Sequence, residues 1–149
     1  MNFQQNNGNT ARLILFTRYP EPGKTKTRLI PALGAQGAAD LQRQMTEHML
    51  AQALPLKDIM PVDLEIRFTG GDRLHMQRWL GKGLTYTPQG SGDLGDRLER
   101  AFQAAFVAGA QRVVVTGIDC PDIDAALLAE AFQQLGDRDV VLGPATDGG

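Results

Sequence analysis

The chain has 149 residues, 42% of them hydrophobic and 21% charged, with a net charge of −2. One domain of this size buries about 70% of its unfolded surface, enough for a full core, and a mildly acidic surface has no global attraction for nucleic acid or an anionic membrane. The single cysteine, Cys120, excludes an internal disulfide and any four-cysteine zinc site.

The opening MNFQQNNGNT is polar and lacks an apolar signal core. We read residues 1–10 as a disordered tail ahead of one domain over 11–149. No apolar run is long enough to span a bilayer, and the expected location is a reducing cytoplasm. RLILFT (Arg12 to Thr17) is a continuous apolar run that suits a strand covered on both faces. A basic loop, RYPEPGKTKTRLIP, follows. AQGAADLQRQMTEHMLAQAL then sets Ala38, Leu41, Met45, Met49 and Ala53 on one helical stripe. VDLEIRF alternates apolar and charged residues, which predicts a strand with one wetter face. GGDRLHMQRWL is a short helix capped by Asp72, and LTYTPQ is a short strand. GDLGDRLERAFQAAFVAGA predicts a helix with Leu94, Leu98, Phe102 and Ala105 inward. RVVVTGID is the next buried strand. DIDAALLAEAFQQLG is a helix stopped at Gly136, and DVVLGPA is the last strand. Strand and helix alternate throughout, so the fold class is an α/β sandwich with a mostly parallel sheet.

In such sheets ligands bind beyond the carboxyl ends of the strands. Four loops lie there: RYPEPGKTKTR, QGSGDLGDR, GIDCPDID and GPATDGG. The GKT at Gly23–Thr25 is not an ATPase phosphate loop, because that motif needs a glycine where Arg18 stands. Its charges can still gather. In an extended loop Lys24, Lys26 and Arg28 share one side, and a helix starting at Thr25 would add free N–H groups. Either arrangement favours a phosphate-sized anion over a merely solvated loop. Asp119 follows a buried strand and precedes Cys120 and Pro121. A carboxylate there suits Mg²⁺, which takes one or two protein carboxylates and leaves positions for phosphate and water. Asp122 or Asp124 is expected as a helix cap, and Cys120 as a packing residue. Asp147, flanked by glycines, is either a ligand contact or an ordinary turn residue. Gln89 is placed to read a base edge, and the helix start at Asp93–Gly95 to face a ribose or phosphate, unless Asp93 and Asp96 are plain caps. His48 and His75 are read as ordinary helix residues.

Together, PEPGKTKTRL, GDLGDRL, GIDCPDI and GPATDGG resemble a bacterial family of glycosyltransferases associated with arsenosugar biosynthesis. That family lies within the nucleotide-diphospho-sugar transferase superfamily. The phospholactate guanylyltransferases of the same superfamily carry a similar basic loop. The resemblance implies a Rossmann-like three-layer α/β/α sandwich of GT-A type, here truncated, with the family's C-terminal elements missing. It implies that Gly23, Lys24, Lys26 and Arg28 contact nucleotide phosphates, and that Gln89 and Gly95 contact the base or ribose. By the same resemblance Asp119 holds Mg²⁺ or Mn²⁺, and Asp147 lies beside the sugar or acceptor. The expected activity is metal-assisted transfer of a sugar from a nucleotide sugar to a small-molecule acceptor. The alternatives are a nucleotidyltransferase that releases pyrophosphate from an NTP, and a nucleotide-binding module without catalysis.

Overall fold

Leu13, Ile14 and Leu15 project alternately to opposite sides of a strand, yet all three are buried. Such a strand needs cover on both faces. In the computed structural model, which describes residues 10–143, it is β1 (Ala11–Arg18), at the interior of a parallel sheet. Among the described residues that sheet also contains β2 (Asp63–Thr69), β3 (Thr85–Pro88) and β4 (Arg112–Thr116), in the order β3-β2-β1-β4. Every pairing is parallel, with Leu13 opposite both Leu64 and Val114. The helices are α1 (Ile30–Ala53), α2 (Leu56–Ile59), α3 (Arg73–Leu80), α4 (Leu94–Val107) and α5 (Ala125–Gln134), with a 3-10 turn at Thr27–Leu29 leading into α1. α1 is broken at Gly34.

Right-handed crossovers decide the layers. The chain steps from β1 through α1 to β2 and through α3 to β3 in one direction, so α1 and α3 share a face. It then reverses across the sheet to β4, which sends α4 to the other face. Leu13, Leu15, Leu64 and Ile66 accordingly pack with Met49 of α1, Met76 of α3 and Phe132 of α5. Ile14 and Val113 pack with Ala101 and Ala105 of α4. The result is a three-layer, Rossmann-like α/β fold. Asp72, Asp93 and Asp124 cap α3, α4 and α5 by accepting the backbone N–H three residues on, and Asp93 and Asp96 form a reciprocal capping box. No helix among the described residues is long and apolar enough to cross a membrane. Of the expected N-terminal tail only Thr10 is described, and its carbonyl accepts the N–H groups of Gln111 and Arg112.

The structure corrects several of the expectations. Leu94, expected inward, is exposed in the first turn of α4. In α1, Leu41 and Met45 are only half-buried, while Gln42 and Thr46 take interior positions. The cause is Thr17 at the carboxyl end of β1. Its hydroxyl lies 2.7 Å from that of Thr46, and Gln42 Nε2 donates to Thr17 Oγ1 and to the Arg18 carbonyl, each at 3.1 Å. In β2 there is no wetter face: Glu65 and Arg67 are 3% and 4% exposed. They pair at 2.6 Å, and Arg12 Nη1 joins Glu65 at 3.2 Å. β4 ends at Thr116 and, as an edge strand among the described residues, has only Val113 buried. Residues 139–143 form no strand, and Val140 and Leu142 are exposed. α5 packs on the same face as α1, where Arg112 Nη1 reaches the Phe132 carbonyl at 3.1 Å. A right-handed crossover through that face leads from β4 back toward β1, whose two edges are already taken by β2 and β4.

Candidate functional site

All four strands point their carboxyl ends to one edge. The chain changes direction between β1 and β4, and the crevice outside such a switch point is where open α/β sheets receive ligands. Two loops flank it, the basic loop after β1 and the acidic loop after β4.

The basic loop is folded, not extended. Thr25 is fully buried; its hydroxyl donates to the Tyr19 carbonyl and accepts the Glu21 N–H. Lys24 N–H donates to the Glu21 carbonyl, closing a tight turn, and the chain continues into the 3-10 turn two residues after Thr25. The side chains therefore do not line up as in an extended loop. Lys24 Nζ folds back on Glu21 at 3.0 Å, and Lys26 Nζ reaches Asp119 Oδ1 at 3.2 Å. Arg28 is exposed and has no ion-pair partner among the described residues. Arg18, also at this edge, has a buried Nε that makes no hydrogen bond.

Asp119 lies three residues beyond β4, and its side chain is 76% exposed. Buried Ile118 anchors the loop from below, Ile123 N–H donates to the Cys120 carbonyl, and Asp124 starts α5. His48, read as a plain helix residue, has a partner here: its Nε2 donates to the Pro121 carbonyl at 3.1 Å, tying this loop to α1. Cys120 is exposed and is not a packing residue.

Gln89 does not present its amide to a ligand. It is 5% exposed, and its Nε2 donates to the carbonyls of Thr17 (3.1 Å) and Arg67 (3.0 Å). Its Oε1 accepts from Arg97 Nη1 at 3.0 Å. Gly95 lies in the first turn of α4, exposed. Asp147 lies outside the described residues. The loop after β2 adds a part of this edge that the four loops expected from the sequence do not include. Gly70 and Gly71, both at positive φ, turn the chain from β2 into α3. A Cβ on Gly71 would sit 2.9 Å from Tyr19 Cγ, so only glycine fits against that ring. Beside it lies an open cleft of about 640 Å³ lined by Phe68, Thr69, Gly71, Arg73, Pro88 and Gly90. The Gly-Gly pair after a strand was the available signal. At the start of α3 the His75 N–H holds the Asp72 carboxyl below its ordinary value.

Among the described residues no group of three or more His, Cys, Asp and Glu side chains gathers. A lone exposed carboxylate does not hold a hard cation by itself, but Mg²⁺ is commonly held by one carboxylate together with substrate phosphates. Asp119 fits that second case.

A parallel α/β sheet with these loops at its carboxyl edge defines a Rossmann-like protein. Residues 53–149 match a family described as "Uncharacterized protein conserved in bacteria (DUF2064)", and the chain belongs to that family. No curated protein matches it. A solved structure from Desulfovibrio desulfuricans G20, described as a "putative nucleotide-diphospho-sugar transferase", is 37% identical with a TM-score of 0.84. The match covers 93% of this chain and 60% of that one, so the chain spans about 60% of its neighbour's length.

Proposed function

We propose that the carboxyl edge of the sheet binds the diphosphate of a nucleotide sugar and supports transfer of the sugar to a small-molecule acceptor. The motifs lead us to assign the chain to the arsenosugar-associated branch, with the phospholactate guanylyltransferases as more distant relatives. The observation that carries this reading is the contact of Lys26 Nζ with Asp119 Oδ1 at 3.2 Å, which brings the basic loop and the acidic loop together across the switch point. An ammonium and a carboxylate in contact satisfy each other. A diphosphate offers Lys26 a stronger partner, and Asp119 is then free to hold a divalent cation against the same phosphates.

In sugar transfer the bond from the anomeric carbon to the phosphate oxygen breaks, and an acceptor hydroxyl takes its place on that carbon. The nucleoside diphosphate leaves with concentrated negative charge. Lys26 and Arg28 stabilise that charge where it develops, and Lys24 does so once it leaves Glu21. Bound Mg²⁺ or Mn²⁺ would neutralise part of it, with Asp119 as the protein ligand. Gly23 lets the loop backbone approach the phosphates, and Gly95 sets the start of α4 toward the ribose. Asp147 is assigned to the acceptor, where it would take the hydroxyl proton.

Incubation with Mg²⁺ and panels of nucleotide sugars and NTPs tests the reading. Release of a nucleoside diphosphate from a nucleotide sugar is the expected result. Pyrophosphate release from an NTP would replace sugar transfer with nucleotidyl transfer, and binding without turnover would reduce the chain to a nucleotide-binding module. Absence of nucleotide binding would overturn the reading altogether.

A further inference from the structure

Gln42, Thr46 and Thr17 close a ring of hydrogen bonds inside the apolar layer between α1 and the sheet, and all three are buried. Thr46 Oγ1 lies 2.9 Å from the Gln42 carbonyl, which can only accept, so the Thr46 proton goes there. Thr17 must then donate across the 2.7 Å contact to Thr46. Thr17 Oγ1 in turn accepts one amide proton of Gln42, and the other goes to the Arg18 carbonyl, each at 3.1 Å. Every polar proton of the three side chains is used. A turned amide would set its oxygen against the Arg18 carbonyl, so its orientation is fixed as well.

Stability does not require this ring. Replacing both partners of a buried hydrogen bond by apolar groups of the same shape is nearly neutral, and Leu13 and Leu15 fill the same face of β1 with apolar contacts alone. What the ring adds is direction, because a fully satisfied buried network holds one arrangement. Its outer donor meets the chain at the Arg18 carbonyl, where the basic loop begins. One residue on, the Tyr19 carbonyl accepts the hydroxyl of buried Thr25, which stands between Lys24 and Lys26. The far end of the loop reaches α1 through a break. It passes through the 3-10 turn into the first turn of the helix, which Gly34 (φ 73°, ψ 165°) separates from the helix body. Gln42 lies beyond that break. We infer that Gln42 is a positioning residue for the anion-binding loop: it ties the start of the loop to the body of α1 and so sets where Lys26 and Arg28 stand when a diphosphate arrives. This rests on the diphosphate reading of that loop.

Isothermal titration of the full chain with inorganic pyrophosphate in excess Mg²⁺ tests it on two variants. Gln42→Met keeps the length of the side chain but removes both donors, which leaves the Arg18 carbonyl without its partner. Thr46→Val keeps the shape, opens the ring on its far side and leaves Gln42 within reach of Arg18. Both variants should melt below the wild type. Pyrophosphate affinity should fall about tenfold in Gln42→Met, the scale on which groups one step removed from a ligand act. In Thr46→Val it should stay within about twofold. A merely structural ring predicts two lower melting temperatures with affinity unchanged in both, and that result overturns the inference. An equal loss of affinity in both variants overturns it too, because affinity would then follow stability and not the tie to Arg18. If Gln42→Met does not fold, the side-chain amide resonances of Gln42 in the wild type carry the test. Saturation with pyrophosphate should shift them, and unchanged resonances overturn the inference. A wild type that does not bind pyrophosphate overturns the diphosphate reading of the loop itself, and this inference with it.

Discussion

Replacing Lys26 with glycine separates the backbone role of this residue from its charge. Lys26 is the one non-glycine residue at positive φ among the described residues, at φ 47° and ψ 47°. The left-handed conformation costs an L-residue about 1–2 kcal/mol, and glycine removes that strain. Glycine also has more freedom to lose on folding, which costs about 0.5–1 kcal/mol. The lost ion pair weighs little, because Asp119 is 76% exposed, and exposed pairs contribute about 0.2–1 kcal/mol. These contributions nearly cancel. Lys26→Gly should therefore sit within about 1 kcal/mol of the wild type, or about 4 °C in melting temperature.

Binding should behave differently. One charge-assisted bond to a phosphate contributes about 1.5–3 kcal/mol, so its loss weakens a nucleoside diphosphate about 10- to 100-fold. Lys26→Ala should lose the same affinity but melt below Lys26→Gly, since alanine keeps the strain. Scanning calorimetry and isothermal titration with Mg²⁺ and a nucleoside diphosphate measure both quantities on the same proteins. Unchanged affinity in both variants, or a Lys26→Gly protein that melts well below Lys26→Ala, would refute the reasoning.

Asp119→Asn should abolish most of the tightening that Mg²⁺ brings to nucleoside diphosphate binding, while metal-free affinity stays level or rises, because a carboxylate facing phosphates repels them; titrations with and without the ion decide it. Glu65→Ala leaves Arg67 buried without its carboxylate and should cost about 3–5 kcal/mol in urea unfolding, whereas Glu65→Leu combined with Arg67→Met should recover most of that loss. Asp72→Ala removes the cap of α3 and should melt lower at neutral pH. The folded-state pKa of Asp72 lies below the ordinary 3.8 because it accepts the His75 N–H. Its contribution is therefore complete above that value and fades as pH falls through the lowered folded value, so melts of wild type and variant should converge in strong acid.

What the sequence shows of this fold divides along the range of the forces involved. The caps at Asp72, Asp93 and Asp124 depend on a backbone N–H three residues away; Asp72 is legible outright, and Asp93 and Asp124 each as one of two candidates. The apolar runs of β1 and β4 announce a parallel sheet for a similarly local reason. The interior of α1 does not, because what decides it is Thr17, 25 and 29 positions from Gln42 and Thr46. The charges of β2 mislead in the same way. Alternating Glu65 and Arg67 with apolar residues gives one pattern whether those charges face water or each other. Only the third dimension reveals that Arg12 completes a buried group.

The site repeats the distinction with a chemical twist. Residue types that suit a ligand also suit each other, and the charges of these loops pair among themselves. Lys24 takes Glu21 from within its own loop, a partner visible in the sequence, whereas Lys26 takes Asp119 from 93 positions away. The pairing of Lys26 with Asp119 follows from the parallel strands, which bring the basic loop and the acidic loop to one edge. On the proposed reading, a metal-bound diphosphate would separate the two. Gln89 differs because a buried amide is useful either for recognition or for bracing, and the sequence around it is the same for both. Three strand ends that each leave a carbonyl or an N–H at one point decide in favour of bracing, and that convergence exists only once the sheet has formed.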